Sequence, residues 1–283
     1  MSAYPSLEIL VDGLCFPEAP RWREGRLWFS DFYRRQVLRT DMLGIVEVVA
    51  DVPANPSGLG WRPDGSLLVV SMNDCRVLRA RRGDLQTYAD LAPWVPGPCN
   101  DMLVESSGRA WVGNFGFNLY AGEEPRGTDL LCIEPDGSVR VAARDLLFPN
   151  GMALTPDGRR LIVAETFGER ITVFDVDASG TLSRRRVFAD LAGRYPDGLC
   201  LDAEGAVWVA DARGNRVLRV TEADGIVDTI GTGEQNCYAC MLGGDDGRTL
   251  FLCTAPGIGE DNMVRKGGRI QFTRVTVPHA GLP

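Results

Sequence analysis

Short apolar runs, broken by Gly-bearing turns, recur along the whole chain. The clearest pair is Tyr195-Pro-Asp-Gly-Leu-Cys-Leu followed, across Glu204-Gly205, by Ala206-Val-Trp-Val-Ala-Asp211. Runs of this length, rich in Val, Leu, Trp and Phe and bounded by turn residues, predict β-strands. The Gly suits the positive φ that a tight hairpin turn requires. The phrase recurs, altered, five more times. Its other turns are Glu24-Gly25, Asp64-Gly65, Ser107-Gly108, Asp157-Gly158 and Asp246-Gly247. The residue opening the first strand of each copy is in turn Glu18, Ser57, Asn100, Asn150, Asp197 and Tyr238. Spacings of about 40 to 50 residues are the signature of a propeller or a helical array, and the strand-like runs disfavour the array.

Further apolar stretches supply four strands per copy. After Asp31 come residues 36–41 and 45–50; after Asp211 come 216–220 and 225–229. The last copy is one strand short, and Leu7-Glu-Ile-Leu-Val11 at the N-terminus supplies it. Closing the ring in this way leaves no open edge across the junction. The pattern predicts an all-β fold: a six-bladed β-propeller of four-stranded blades, filling residues 1–283 as a single domain.

Composition narrows the function. The net charge of −8 argues against nucleic acid as a partner. Lys266 is the single lysine, so Arg supplies nearly all positive charge. No secretory signal precedes the first strand, and no apolar run approaches the roughly 20 residues of a membrane helix. A cytoplasmic protein without a membrane partner is expected. The eight cysteines are scattered and are expected to be free and buried. Cys237-Tyr-Ala-Cys240 has CxxC spacing but falls within a strand copy, without a second pair or a nearby His, so no metal or redox role is assigned to it. The one histidine, His279, lies at the extreme C-terminus, which removes Ser-His-Asp and Cys-His chemistry. No Gly-rich phosphate loop stands between a strand and a helix. An enzyme built from this chain needs a metal and carboxylates.

In a propeller the first strands line the axis, so their opening residues form a ring at one mouth. Glu18, Asn100, Asn150 and Asp197 carry side-chain oxygen there. Such a set suits a hard divalent ion, Ca²⁺ or Mg²⁺, with Zn²⁺ and Mn²⁺ as alternatives. Asn150-Gly151 and Asp197-Gly198 also fit ordinary turn chemistry. A second ring, Asp31, Ser71, Asn114, Glu165, Asp211 and Thr254, ends the second strands. Its expected task is to satisfy backbone groups between blades. Glu165 and Asp211 are the candidate exceptions.

Phe16-Pro-Glu-Ala-Pro, Asn100-Asp101, Val112-Gly-Asn-Phe-Gly116, Phe148-Pro-Asn-Gly151, Ala164-Glu-Thr166, Pro196-Asp-Gly-Leu199 and Val209-Ala-Asp211 together carry a family resemblance. The chain resembles the senescence-marker-protein, gluconolactonase and luciferin-regenerating-enzyme family, also called regucalcin-like. The resemblance implies a six-bladed propeller with one divalent ion, Ca²⁺ first, held by Glu18, Asn150 and Asp197. It implies that Asn100 contacts substrate or a bound water, and that Asp197 assists water as a base. The implied activity is metal-dependent lactonase action: hydrolysis of a small lactone, sugar-like or less polar, with the metal polarising the carbonyl. The alternative on the same site is a non-hydrolytic isomerase, cyclase or dehydratase. A third reading is a calcium-binding or scaffold protein without enzyme activity. The expected partner is a small molecule, bound by a monomer or small homo-oligomer. One departure stands out. Sugar-lactone members carry an Arg two residues before the Asn, where this chain has Pro98, which has no donor. Residues 115–125 are expected to form an aromatic lid over the mouth, suited to a less polar substrate.

Overall fold

Among the described residues, twenty-four strands group into six antiparallel four-stranded sheets. The computed structural model describes residues 4–81 and 84–281. Blades one to five are each built from four consecutive strands. Blade six takes three strands, Asn236–Gly243, Thr249–Ala255 and Gly268–Arg274, and completes itself with Glu8–Leu14 from the other end of the chain. That strand runs antiparallel to the third, with Glu8 opposite Phe272 and Leu14 opposite Gly268. The sheets form a six-bladed β-propeller, closed as the repeats predict.

The turn between the first two strands of each blade is the same device six times. Gly25, Gly65, Gly108, Gly158, Gly205 and Gly247 all have φ between 69° and 89°. A side chain there would force a strained conformation, which fixes the Gly in every copy.

The first strands of successive blades pack against one another around the axis. Their close approach depends on small residues. A Cβ on Gly58 would lie 2.3 Å from Met102 N, and one on Gly198 would lie 2.5 Å from Ala239 Cβ. Outside this ring the blade faces are apolar. Trp22 of blade one stacks on Phe251 of blade six at 5.3 Å, and Trp28 meets Trp61 of blade two edge-on. Fully buried Leu27, Leu68, Val112 and Leu161 lie between the sheets; burial of such a side chain contributes about 1.5–3 kcal/mol. All eight cysteines are free and all but Cys75 are buried. Among the described residues, no helix is long and apolar enough to cross a membrane.

Candidate functional site

The ring at the mouth forms as the strand repeat predicts. Glu18 lies in the strand Pro17–Arg23, Asn100 in Cys99–Val104, Asn150 in Pro149–Leu154 and Asp197 in Pro196–Leu201. All four, from four different blades, line the floor of one pocket, and Ser57 and Tyr238 complete the ring. A wider concavity at the other end of the inner strands, lined by Trp61, Met152, Leu154 and Leu201, contains none of these oxygen donors.

Local hydrogen bonds orient the floor. Glu18 Oε2 accepts the Ala19 N–H at 3.0 Å. Asn150 Nδ2 donates to Thr166 Oγ1, which donates in turn to the Pro196 carbonyl at 2.8 Å. This chain ties blade four to blade five. With its nitrogen engaged, Asn150 has its carbonyl oxygen left for a ligand. Asn100 Nδ2 is buried and has no hydrogen-bond partner among the described residues. An orphaned buried donor costs about 1–3 kcal/mol, which a ligand or water accepting from it would recover.

Two further residues were not legible from the repeat. Arg21 is buried beneath the floor and pairs with Asp101 at 2.8 Å. Its guanidinium also donates to the carbonyls of Pro20, Leu59 and Met102, spanning three blades. Asp101 Oδ1 accepts the Met102 N–H as well. An Arg inside an alternating strand reads from sequence as a solvent-facing residue; only ring closure turns it toward the axis.

The electrostatics follow from this crowding. Burial pushes the Glu18 carboxyl up to about 8; Asp101 adds to the rise, while the Ala19 N–H and Arg21 oppose it. Asp197 is raised well above the usual carboxylate range by burial first, then by Glu18 and Asp101, against hydrogen bonds from Asn150 and Gly198. Ionised together, Glu18 and Asp197 would carry two negative charges, the complement of one divalent cation. Among the described residues no three His, Cys, Asp or Glu side chains form a ligand cluster. The donors are instead two carboxylates and amide oxygens, a set that fits a hard cation such as Ca²⁺ better than Zn²⁺. Nearby Cys237 is buried, and its thiol is pushed far up by burial and then by Asp197 and Glu18, which keeps it protonated.

In the second ring the carboxylates of Asp31, Glu165 and Asp211 are all engaged by neighbouring groups. Asp31 accepts the N–H groups of Cys15 and Phe16, and Asp211 accepts that of Tyr195 and pairs with Arg216. Glu165 is enclosed by the Leu147 N–H, Thr172 and two arginines, Arg170 and Arg185. None of these carboxylates lines the pocket. The suggestion that Glu165 and Asp211 stand apart from the ring is therefore corrected: their oxygens are already taken.

The walls above the floor are aromatic and aliphatic. Phe115 stacks on Phe148 at 4.3 Å, and Phe16 meets Tyr238 at 4.5 Å. The Pro98 carbonyl accepts the Phe115 N–H, which fixes that ring on the wall. The expected lid is realised in its first half. Phe115 and Leu119 line the pocket, and Asn118 caps the short turn Leu119–Ala121. Residues 123–125 are exposed instead, and Glu123 pairs with Arg126.

Residues 16–256 match the family model of the SMP-30/gluconolactonase/LRE-like region. The chain belongs to this family. It is 26% identical to 6-deoxy-6-sulfogluconolactonase of Pseudomonas putida, over 94% of this chain and 93% of that protein. It is 28% identical to regucalcin of Xenopus laevis, over 92% and 91%. Among solved structures, a luciferin-regenerating enzyme superposes with a TM-score of 0.84 at 19% identity, over 97% of both chains. A gluconolactonase from Xanthomonas campestris gives 0.77 at 25% identity, over 96% of this chain and 89% of that one. The propeller of this SMP-30/gluconolactonase-like chain is thus shared with its structural neighbours along nearly its full length.

Proposed function

We propose that the protein is a metal-dependent lactonase that opens a small lactone with one divalent cation, Ca²⁺ first, held by Glu18, Asn150 and Asp197. One observation carries this reading: the half-buried carboxylate of Glu18 and the buried one of Asp197, from blades one and five, converge with two amide side chains on a single pocket floor. Relatives named 6-deoxy-6-sulfogluconolactonase in P. putida and pentonolactonase in Haloferax volcanii support the reaction class, and a regucalcin of Agrobacterium tumefaciens, described as a calcium-binding protein, is consistent with a cation.

A bound divalent cation supplies Lewis-acid polarisation of the ester carbonyl. The chain supplies the rest. Asn100 Nδ2 donates a hydrogen bond to a substrate oxygen and loses its orphaned state. Asp197, ionised, accepts the proton of the attacking water and returns it to the ring oxygen as the acyl–oxygen bond breaks, giving the hydroxy acid. The Phe115–Phe148 wall keeps bulk water from the face of the ring.

Elemental analysis of the purified protein, with a lactone panel assayed before and after chelation, tests this. Activity is expected to vanish on chelation and to return with the cation. Full turnover by a metal-free Asp197→Asn protein overturns the proposal. Running the reaction in ¹⁸O-labelled water separates hydrolysis, which incorporates label, from ring isomerisation, which does not.

A further inference from the structure

The carboxylate and amide groups of the pocket are confined to its base. Above Glu18, Asn100, Asn150 and Asp197 the wall presents Phe32, Met72, Phe115, Leu119, Phe148 and Ile258. Among the described residues, no Arg, Lys, Gln or further Asn, Asp or Glu lines it. Of the three hydroxyls that line it, Ser57 belongs to the ring at the base, and the other two are partly committed: Tyr33 Oη accepts the Gly259 N–H at 2.9 Å, and Tyr238 Oη accepts from Asn236. The Tyr33 bond also seats the rim segment that carries Ile258. That side chain is 52% exposed, an aliphatic group uncovered at the edge of the pocket.

We infer that the preferred substrate is a lactone whose ring bears an apolar alkyl or aryl substituent, with Ile258, Met72 and the Phe115–Phe148 pair as its specificity determinants. The inference rests on the lactonase reading and deepens it. A polyhydroxylated ring would bring several hydroxyls against carbon. Each one left without a partner lowers affinity roughly 10-fold or more. An anionic substituent would find no cationic side chain on the wall and two carboxylates on the floor. An alkyl chain would instead cover Ile258 and Met72 and gain from leaving water.

The experiment compares kcat/KM for δ-decalactone, unsubstituted δ-valerolactone and glucono-1,5-lactone on the cation-loaded protein, with wild type and Ile258→Asn. Binding of the non-hydrolysable lactam bearing the same alkyl chain is measured in parallel by calorimetry. The expected order is δ-decalactone first, at least about 10-fold above glucono-1,5-lactone. The ratio of δ-decalactone to δ-valerolactone is expected to fall about 10-fold in Ile258→Asn. Glucono-1,5-lactone turned over as well as δ-decalactone overturns the inference and leaves the lactonase standing. No lactone hydrolysed, but the lactam bound in an Ile258-dependent way, overturns hydrolysis and keeps the apolar ligand. Neither hydrolysis nor lactam binding sinks both.

Discussion

A Cβ placed on Gly151 would sit 2.6 Å from the carbonyl oxygen of Asp197, and 2.5 Å from Leu199 N. The residue after one proposed ligand therefore sets the distance to the next. Gly151→Ala is expected to push blade four from blade five at the level of Asn150 and Asp197. The predicted cost is about 1–3 kcal/mol of stability, with a weaker cation titration than wild type. Denaturant melts and calorimetry check both; an unchanged titration would show that the floor does not depend on this approach.

Chelation should make stability depend on pH in a direction unusual for an acidic protein. Glu18 titrates at about 8 in the folded, cation-free chain, against an ordinary value of 4.5. Between these values the unfolded chain has lost the proton and the folded chain keeps it. The folded state then binds more protons, so stability falls as pH rises through this window. Asp197 is raised as well and adds in the same direction. Tm of the chelated protein is expected to drop from pH 5 to pH 8, and excess Ca²⁺ is expected to abolish most of the drop. A flat profile without cation would contradict the burial argument.

Two carboxylates at the mouth end of the blades should separate cleanly on mutation. Glu165→Gln keeps the shape but weakens its pairs with Arg170 and Arg185; a loss of about 1–3 kcal/mol is expected, with lactone turnover retained while the protein is folded. Asp197→Asn is expected to do the reverse: little loss of stability in the absence of cation, and loss of cation binding and turnover. Melting curves and turnover on the same two preparations decide the matter.

Cys75 is the thiol expected to react first. The Cys99 thiol hydrogen-bonds to it and brings it down to about 7, against its burial. Cys99 is itself raised well above the usual range, first by that same hydrogen bond and then by burial. The seven other thiols are buried. Brief iodoacetamide treatment near neutral pH, followed by peptide mapping, is expected to find label on Cys75 before any other cysteine; first labelling elsewhere contradicts this.

The fold could be read from the chain because one device repeats. Each copy carries its own Gly turn and apolar runs, so the six hairpins announce themselves locally. Glu18, Asn100, Asn150 and Asp197 were legible for the same reason: they occupy one slot of the repeat, and closure brings that slot to one place. What escaped depends on contacts between blades. Arg21 and Asp101 find each other only across the axis. Phe32 and Met72 each follow the end of a second strand, a slot of the repeat whose apolar members carry no obvious chemistry, and Ile258 reaches the pocket from the long segment between Thr249–Ala255 and Gly268–Arg274. Glu165 resembled a site residue because its blade also holds Asn150; the partners that occupy it, Leu147, Thr172 and Arg185, come from the neighbouring turns and strands.

The strand Glu8–Leu14 seals blade six a few residues before Glu18 begins its own blade. One short segment therefore links the fastening of the circle to the proposed cation grip. A cation that draws Glu18 toward Asp197 is expected to tighten that clasp, and fraying of the amino-terminal strand is expected to slacken the grip. In such a closed ring, an ion bound as proposed is expected to raise circular integrity.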